Sequence, residues 1–338
     1  MKAIIVGLGG WGSGWAQTIT DSPDWEIVGW VDTNSKALVS AVSNFGADPN
    51  SCFLSLHDAV RHVPADAAFI ITPPNADRLY SITTAMDAGL HVLAEKPLAD
   101  SLDDAKQILE EHKTYGVKLM VGQNYRFFPR TIELRKIIEG GEKGKLGYMK
   151  VLYHKSINMP GTHMEKMDNA LILCMSIHHL DTIRFLIGSE PETLRAESWN
   201  PPWSWTKSDA CIACQMTFPG DIRVNYFGGW AARQNETDWY GHWDLEFEQA
   251  AMFTDGVVLH EIVGDERKES PFAKIDPSHT RADVLREFTS AIKEDRTPAC
   301  SIKDNIKTLL MAFAIIESAR TGERVDFRAF ARDNGIDL

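Results

Sequence analysis

The sequence lacks an apolar run long enough to cross a membrane, and it has no excess of positive charge. No uninterrupted apolar stretch reaches the roughly 20 residues that a spanning helix needs. The 35 Lys and Arg residues are outnumbered by 47 Asp and Glu residues, which gives a formal net charge of −12. Because nucleic acids and anionic membrane surfaces attract basic patches, this balance argues against both as partners.

Cysteine is also scarce, with five residues in a chain of 338. Cys211 and Cys214 form a C-x-x-C pair in a strand-like run, but residues three apart on a strand point to opposite faces. We therefore expect no metal or redox site at this pair, and no metal site elsewhere. Reduced thiols, and a first segment typical of a strand rather than of a signal peptide, predict a cytoplasmic protein.

The first 124 residues alternate short apolar strands with helical patterns. Such alternation is typical of a parallel sheet that is covered by helices on both faces. The chain length fits two domains, at about 150 residues for each domain. The predicted strands are 2–6, 25–31, 67–71, 90–94 and 117–121, and the predicted helices are 12–20, 35–45, 76–88 and 102–115.

From residue 125 onward, runs of neighbouring strands replace the alternation. Strands that follow one another without helices favour a largely antiparallel sheet. The predicted helices are 130–139, 169–187, 280–294 and 302–321, and the predicted strands are 148–157, 193–199, 210–218, 221–229 and 243–262, the last forming two strands. The predicted fold is α/β, with a doubly wound parallel sheet in residues 1–124 and an α/β domain with an open, mainly antiparallel sheet in residues 125–338.

A glycine fingerprint follows the first predicted strand directly. Gly7, Gly9 and Gly12 fit G-x-G-x-x-G, and Asp32 ends the next strand twenty residues later. In this context the glycines permit a tight turn and close approach of a pyrophosphate to the backbone, which faces the N-terminus of a helix. Asp32 would accept hydrogen bonds from ribose hydroxyls and repel a 2′-phosphate. The pattern predicts a Rossmann domain that binds NAD in preference to NADP; a glycine turn without a ligand is the alternative.

Lys96 is the first candidate for chemistry. It follows a predicted strand directly, within Glu95-Lys96-Pro97. Ligands of parallel sheets bind at the carboxyl ends of the strands, and Pro97 restricts the backbone of the residue before it. An amine held there could exchange protons with a substrate beside a nicotinamide. The alternative is a surface lysine in a turn.

The predicted helix 169–187 supplies the second candidate. Cys174, His178 and Asp181 stand at positions i, i+4 and i+7 and would share one helical face. An imidazole is suited to acid–base work near neutral pH, so His178 is a candidate acid or base. A hydrogen-bonded core histidine is the alternative. We expect the neighbouring His179 to be structural or to lie at a rim.

In combination, these motifs resemble the Gfo/Idh/MocA family, the group of glucose–fructose oxidoreductase and inositol dehydrogenase. The resemblance covers nearly the whole chain. It is carried by the glycine fingerprint, Thr72-Pro73, residues 88–93 leading into Glu95-Lys96-Pro97, residues 122–127, and the helix with His178-x-x-Asp181. It implies a second-domain sheet that often mediates dimers or tetramers, and oxidation or reduction of sugars, polyols and related carbohydrates with NAD(P).

The motifs and the resemblance together assign candidate site residues. Lys96 and His178 match the family's lysine and histidine and are the predicted catalytic residues. The predicted cofactor-binding residues are Gly7, Gly9, Gly10, Trp11, Gly12, Asp32, Thr33, Thr72, Pro73, Asn75, Glu95, Lys96, Asn124 and Arg126. The predicted substrate contacts are Lys96, Tyr125, His154, Cys174 and His178; His154 and Lys155 are neighbours, so only one of them can face a pocket.

Two positions depart from the family pattern. The family commonly has an aspartate four residues before the histidine, and Cys174 stands there. A thiol is a weak acceptor and is normally neutral, so we expect Lys96 and His178 to carry the proton transfer. Asp77 replaces a histidine that the family often has five residues after the threonine of Thr72-Pro73, which we expect to alter the nucleotide side.

The sequence thus predicts an NAD-dependent dehydrogenase, a homodimer or homotetramer, that oxidises a carbinol of a small carbohydrate. Tryptophan faces suit the C–H faces of sugars, although packing is the alternative for most of them. Six of the ten tryptophans lie in the second domain, at 199, 203, 205, 230, 239 and 243. The absence of a basic phosphate clamp favours an unphosphorylated substrate. Two other functions stay open: a redox-neutral, glycosidase-like enzyme that retains NAD, and a non-catalytic NAD-binding sensor.

Overall fold

The computed structural model describes residues 1–73, 78–254, 258–271 and 277–338. The chain forms two compact units, residues 1–124 with 276–306 and residues 125–275 with 307–338. The predicted second domain was continuous, whereas the structure groups 276–306 with the first unit. Periodicity identifies a helix but not the sheet on which that helix packs, since the latter depends on contacts between distant parts of the chain.

The first unit is built on six parallel strands with helices between them. In chain order these elements are β1 (Lys2–Val6), α1 (Gly10–Thr20), β2 (Glu26–Val31), α2 (Ser35–Phe45), β3 (Cys52–Phe53), α3 (Leu56–His62), β4 (Ala67–Ile70), α4 (Arg78–Asp87), β5 (His91–Ala94), α5 (Leu102–His112) and β6 (Leu119–Val121). The strand order is β3-β2-β1-β4-β5-β6, and every neighbouring pair is parallel. The predicted doubly wound sheet is confirmed. The prediction missed β3, because a two-residue strand leaves no periodic pattern, and it also missed the short helix α3.

The second unit has a larger, mixed sheet. The elements that follow are α6 (Pro129–Gly140), β7 (Leu146–His154), α7 (His163–Lys166), α8 (Ile177–Ile187), β8 (Thr193–Trp199), β9 (Cys211–Phe218), β10 (Ile222–Gly229), β11 (His242–Phe247), β12 (Ala251–Thr254), β13 (Val258–Val263), β14 (Glu266–Pro271), α9 (Pro277–Lys293), α10 (Ile302–Thr321), β15 (Val325–Asp326) and α11 (Phe327–Asp333). The sheet order is β14-β13-β12-β11-β7-β10-β9-β8-β15. β7 and β10 are parallel and the other pairs are antiparallel, which confirms the open, mainly antiparallel sheet.

The run 243–262 was predicted to form two strands, but it contains parts of three: β11, β12 and β13. A tight connection at 248–250, Glu-Gln-Ala, joins β11 to β12. It contains none of the glycine, proline, asparagine or aspartate residues that mark turns in a sequence. The sequence pattern therefore did not predict this turn.

The two faces of the second sheet differ. Along β7, Met149, Val151 and Tyr153 are buried, whereas Tyr148 and Leu152 are about 40% exposed. Alternation of this kind is typical of an antiparallel sheet with one face on a core and the other open. The covered face packs on α8, because the Tyr153 ring lies 4.9 Å from the ring of His179.

Helix α9 joins the first unit through aromatic packing. Phe288 stacks on Trp25 with ring centroids 6.1 Å apart, and it meets Phe69 edge-on at 5.8 Å. The indole N–H of Trp25 donates to the hydroxyl of Thr289 at 2.7 Å. Burying such a side chain contributes about 1.5–3 kcal/mol, so these contacts explain why α9 belongs with the parallel sheet.

Candidate active site

The glycine turn between β1 and α1 is tightly built. Gly7 has φ +92°, and a Cβ on Gly12 would lie 2.0 Å from the carbonyl oxygen of Gly7. A Cβ on Gly9 or Gly10 would meet open space instead. Helix α1 begins at Gly10 with no side-chain cap and no acidic residue in its first turn. Its first N–H groups have no partner within the helix, and this open, positively polarised turn fits the diphosphate of a dinucleotide.

Asp32 holds the same turn from the end of β2. One carboxylate oxygen accepts the Leu8 N–H at 2.7 Å and the other accepts the Asn34 N–H at 2.8 Å. Each carboxylate oxygen can accept a further hydrogen bond, so ribose hydroxyls can also be bound. Thr33 and Lys36, which follow, are exposed. These residues fit the adenosine half of NAD.

Glu95 organises the loop that carries Lys96. Its side chain is 6% exposed, and its Oε1 accepts the indole N–H groups of both Trp11 and Trp15, each at 2.7 Å. Its Oε2 accepts the backbone N–H of Lys96 at 3.1 Å. Lys96 is half-buried, at the carboxyl end of β5. The predicted residues Trp11, Glu95 and Lys96 are therefore brought together within the first unit.

A buried arginine that the sequence reasoning missed fixes the neighbouring loops. The guanidinium of Arg78 donates to the carbonyl oxygens of Glu95, at 2.6 Å, and of Pro97 and Thr72. It thereby ties the loop after β4 to the loop after β5. The sequence contained no signal for this role, because an arginine at the start of a helix more often lies on a solvated face.

The remaining predicted nucleotide contacts have different surroundings. Thr72 is half-buried and Pro73 is exposed. The amide N–H of Asn124 donates to the hydroxyl of Thr280, at the start of α9, at 3.3 Å. Asn75 and Asp77 lie outside the described residues.

In the second unit, the structure brings His178 and Tyr125 together. The two rings stack with centroids 4.4 Å apart and an interplanar angle of 16°. The Tyr125 hydroxyl donates to the Trp239 carbonyl oxygen at 3.0 Å, and burial raises its pKa, so it stays protonated. His178 is 7% exposed. Its imidazole is thus held flat against an aromatic partner that is itself anchored.

Cys174 does not lie in the same regular helix as His178. Residues 172–176 form a π-helical turn, and α8 begins only at Ile177. A π-helical turn is wider than an α-helical one, so the i, i+4 alignment predicted for a uniform helix 169–187 is altered. The thiol of Cys174 contacts the sulfur of Met167 at 3.5 Å. Short π-helical turns inside α-helices occur frequently at functional sites.

Arg126 was predicted to bind the cofactor, but the structure shows its guanidinium in a buried ion pair. It donates to both carboxylate oxygens of Asp181, at 2.6 and 2.7 Å, and the two side chains are 7% and 1% exposed. The Thr308 hydroxyl also donates to Asp181, at 2.7 Å. Asp181, predicted to share the face of His178, therefore serves this ion pair within the second unit.

His154 is not brought to His178. Its ring contacts Phe227 on the open face of the sheet at 6.1 Å, whereas its neighbour Tyr153 faces α8. Lys155, just beyond β7, pairs with Glu236 at 2.6 Å and lies 5.5 Å from the ring of Trp239. The strand pattern predicted that only one of these two neighbours can face a pocket, and it could not specify which one.

His179 belongs to the interior. It is fully buried, with ring nitrogens 3.1 Å from the Tyr226 hydroxyl and 3.1 Å from the Trp239 carbonyl oxygen. Burial lowers its pKa to about 4, so the ring is neutral at physiological pH. Since the carbonyl can only accept, the nitrogen facing Trp239 carries the hydrogen.

Two features are absent from the residues that the structure describes. Within them, no group of three or more His, Cys, Asp and Glu side chains is placed to hold a metal ion. In the same part of the chain, no helix combines the length and apolar character needed to cross a bilayer.

Comparison with known proteins places the chain in a family. Residues 1–123 match the family model described as an oxidoreductase family with an NAD-binding Rossmann fold, and residues 131–250 match the GFO/IDH/MocA C-terminal domain. Together the two models cover most of the chain. The predicted family, enzyme class and cofactor are confirmed.

Individual relatives resemble the chain over much of its length. An uncharacterised protein of Sinorhizobium fredii is 25% identical over 97% of this chain and 96% of its own. The scyllo-inositol 2-dehydrogenase (NAD(+)) of Bacillus subtilis is 27% identical over 77% of each chain. An oxidoreductase from Agrobacterium radiobacter, solved in complex with NAD+, L-tartaric acid and magnesium, shares the fold with a TM-score of 0.91 and 19% identity, over 97% of this chain and 99% of that one. The protein is a member of the Gfo/Idh/MocA family, an NAD-binding oxidoreductase.

Proposed function

We propose that the protein is a dehydrogenase that oxidises a carbinol of a sugar, polyol or related carbohydrate, with Lys96 and His178 as its proton-transfer residues. The observation that carries the proposal is the loop of Lys96, which Glu95 and Arg78 fix from two sides at the carboxyl end of β5. The relatives support the substrate class, since one is named for an inositol and another was solved with L-tartaric acid. Both compounds are small and carry several hydroxyl groups.

The glycine turn and Asp32 would hold the cofactor. When bound, NAD accepts the carbinol hydride. The first-turn N–H groups of α1 bind its diphosphate, and Asp32 binds the adenosine ribose. An added 2′-phosphate would face the Asp32 carboxylate, which is the basis for a preference for NAD over NADP. Thr33 and Asn124 are proposed to add polar contacts.

Lys96 is proposed as the general base. Its half-buried amine accepts the proton of the reacting hydroxyl at Nζ, while the fixed backbone of its loop limits the directions in which the side chain can point. His178 is proposed as the second group that can take or return this proton, at its imidazole. A neutral thiol at Cys174 cannot replace the family's carboxylate, so we propose that Lys96 and His178 alone carry the proton transfer.

An aromatic side chain and an ion pair of the second unit are proposed to bind the hydroxyl-rich substrate. Trp239 is 51% exposed, and Lys155 with its partner Glu236 lies beside its ring. An indole face suits the C–H face of a sugar ring. The ion pair at its edge offers a donor, Lys155, and an acceptor, Glu236, to the hydroxyl groups of the substrate. We therefore propose that the Trp239 side chain contacts the substrate, whereas the His154 ring lies against Phe227 on the open face of the sheet.

A substrate screen tests the proposal. Aldoses, polyols, inositols and sugar acids are each supplied with NAD and with NADP, and nicotinamide absorbance is followed. Lys96→Ala should lose about 10²- to 10⁴-fold in kcat on the best substrate, as expected for removal of one acid–base group. Lys106→Ala is the matched control, because Lys106 pairs with Asp103 on the surface of α5.

Two results would contradict the proposal. If Lys96→Ala kept most of its kcat with NAD still bound, Lys96 would not be the base. If substrate were consumed without net NADH, the redox-neutral, NAD-retaining alternative would replace the dehydrogenase.

The open face of the second sheet is proposed as the contact between subunits of a homodimer or homotetramer. Tyr148, Leu152 and Trp199 are each about 40% exposed there. Apolar side chains grouped on one sheet face are typical of an interaction surface. Leu152→Asp should lower the molar mass measured by light scattering; a wild-type protein that is monomeric at micromolar concentration would contradict this.

A further inference from the structure

Trp11 belongs to the glycine turn, yet its side chain reaches the loop of Lys96. It lies in the first turn of α1, so its backbone N–H is among those that the helix leaves unpaired. Its indole N–H donates to Glu95 at 2.7 Å, across 84 positions of sequence. The side chain is 48% exposed. A tryptophan that served packing alone would be buried, so the hydrogen bond is its more specific contribution.

The acceptor of that hydrogen bond is the buried carboxylate of Glu95, which accepts two further hydrogen bonds. Oε1 of Glu95 also accepts from Trp15, and Oε2 accepts from the backbone of Lys96. Hydrogen bonds to an ionised group are about twice as strong as neutral ones, and a buried acceptor that loses a donor is costly. A shift of the Trp11 indole therefore displaces the carboxylate, and the backbone of Lys96 follows.

A second contact sets the plane of the Trp11 ring. The guanidinium carbon of Arg281 lies 5.0 Å from the ring centroid. Gly14 makes room for it, because a Cβ there would lie 2.9 Å from that carbon. A cation over an indole face is attractive. Trp11 is thus oriented at its edge by Glu95 and on its face by Arg281.

We propose that Trp11 is a positioning residue that couples occupation of the dinucleotide site to the orientation of Lys96. The N–H groups that bind the diphosphate and the indole that holds Glu95 belong to one helical turn, so a shift of that turn reaches Lys96 through a single side chain. The inference rests on the proposed function, in which Lys96 accepts the substrate proton. Such coupling is reciprocal, so the loop of Lys96 also affects NAD affinity.

The test uses Trp11→Phe, which keeps an aromatic ring and removes the N–H. Trp203→Phe is the matched control, because Trp203 is 54% exposed and its N–H donates to the Ala231 carbonyl oxygen in the second unit. NADH affinity is measured by titration calorimetry. The rate at which an amine reagent modifies Lys96 is measured by peptide mass spectrometry, without NADH and at saturating NADH. Thermal melting establishes that each variant is folded.

In the wild type, saturating NADH should change the Lys96 modification rate by about fivefold or more, the lower end of common coupling energies. Trp11→Phe should bind NADH about fivefold more weakly and should reduce the NADH effect on Lys96 to less than about twofold. The control should match the wild type in both measurements.

Three outcomes would overturn the inference: a wild-type Lys96 rate that NADH leaves unchanged, an undiminished NADH effect in Trp11→Phe, or a loss of NADH affinity with no change at Lys96. The measurement needs no substrate. Its result is therefore independent of whether Lys96→Ala abolishes turnover, and the two proposals can fail separately.

Discussion

Replacing Asp181 by Asn should destabilise the protein strongly without abolishing NAD binding. The substitution keeps the side-chain volume and removes the negative charge that faces Arg126 in a site where both side chains are at most 7% exposed. Breaking a buried ion pair from one side costs about 3–5 kcal/mol, because the remaining charge is left uncompensated. In a domain of this size each kcal/mol lowers the melting temperature by about 2–4 °C. We therefore expect a drop of about 6–20 °C.

The assay is thermal unfolding followed by circular dichroism, with NADH affinity measured on the same preparations below the transition. Asp221→Asn is the matched control, since Asp221 pairs with Arg223 on the surface, where the side chains are 77% and 56% exposed. Exposed pairs contribute about 0–1 kcal/mol, so this variant should melt close to the wild type. An Asp181→Asn protein that melted like the wild type but bound NADH poorly would refute the reasoning. That result would favour the predicted cofactor contact of Arg126 over a purely structural role for the ion pair.

Two further predictions follow from the contacts of single side chains. Asp32→Ser should lower the ratio of NAD affinity to NADP affinity. It should also lower the affinity for NAD about tenfold or more, because the Leu8 N–H loses its charged acceptor. Titration of both nucleotides measures the two affinities, and an unchanged ratio would show that Asp32 does not determine selectivity. His179 has a pKa of about 4 when folded, below its ordinary value near 6.5, so the unfolded chain binds a proton that the folded chain refuses between these pH values. The free energy of unfolding should fall by about 3 kcal/mol through this residue as the pH drops from 6.5 to 4. Urea titrations at several pH values should show a smaller fall for His179→Gln. An equal dependence of the unfolding free energy on pH in the two proteins would contradict the prediction.

Local patterns in the sequence predicted the parallel sheet and much of the first-unit site. The turn from Gly7 to Gly12, Asp32 and the segment of Lys96 each follow a strand of the parallel sheet, as their local motifs predict. Contacts between distant residues could not be predicted. Trp11 meets Glu95 across 84 positions and Arg126 meets Asp181 across 55, and neither spacing has a periodic signature.

The second unit shows which contacts of a predicted site residue a sequence pattern cannot specify. An arginine beside a predicted nucleotide segment indicates a phosphate or ribose contact when the sequence is considered alone. Whether such a guanidinium faces a ligand or a buried carboxylate depends on the partner that the fold brings to it. The surroundings of Cys174 could not be predicted either, because a helical pattern in the sequence does not reveal the π-helical turn at 172–176.

The placement of charge in the second unit bears on the substrate. The buried Arg126 pairs with the buried Asp181, and the buried Arg184 pairs with the partly exposed Glu190, so both guanidinium groups have carboxylate partners within the fold. Near His178 the family's carboxylate is replaced by a thiol, and the stacked partner is a phenol that burial keeps protonated. The substrate proposed above, a carbohydrate without ionised groups, needs no charged partner beside the rings of His178 and Tyr125, whereas a phosphate dianion would have to be desolvated there.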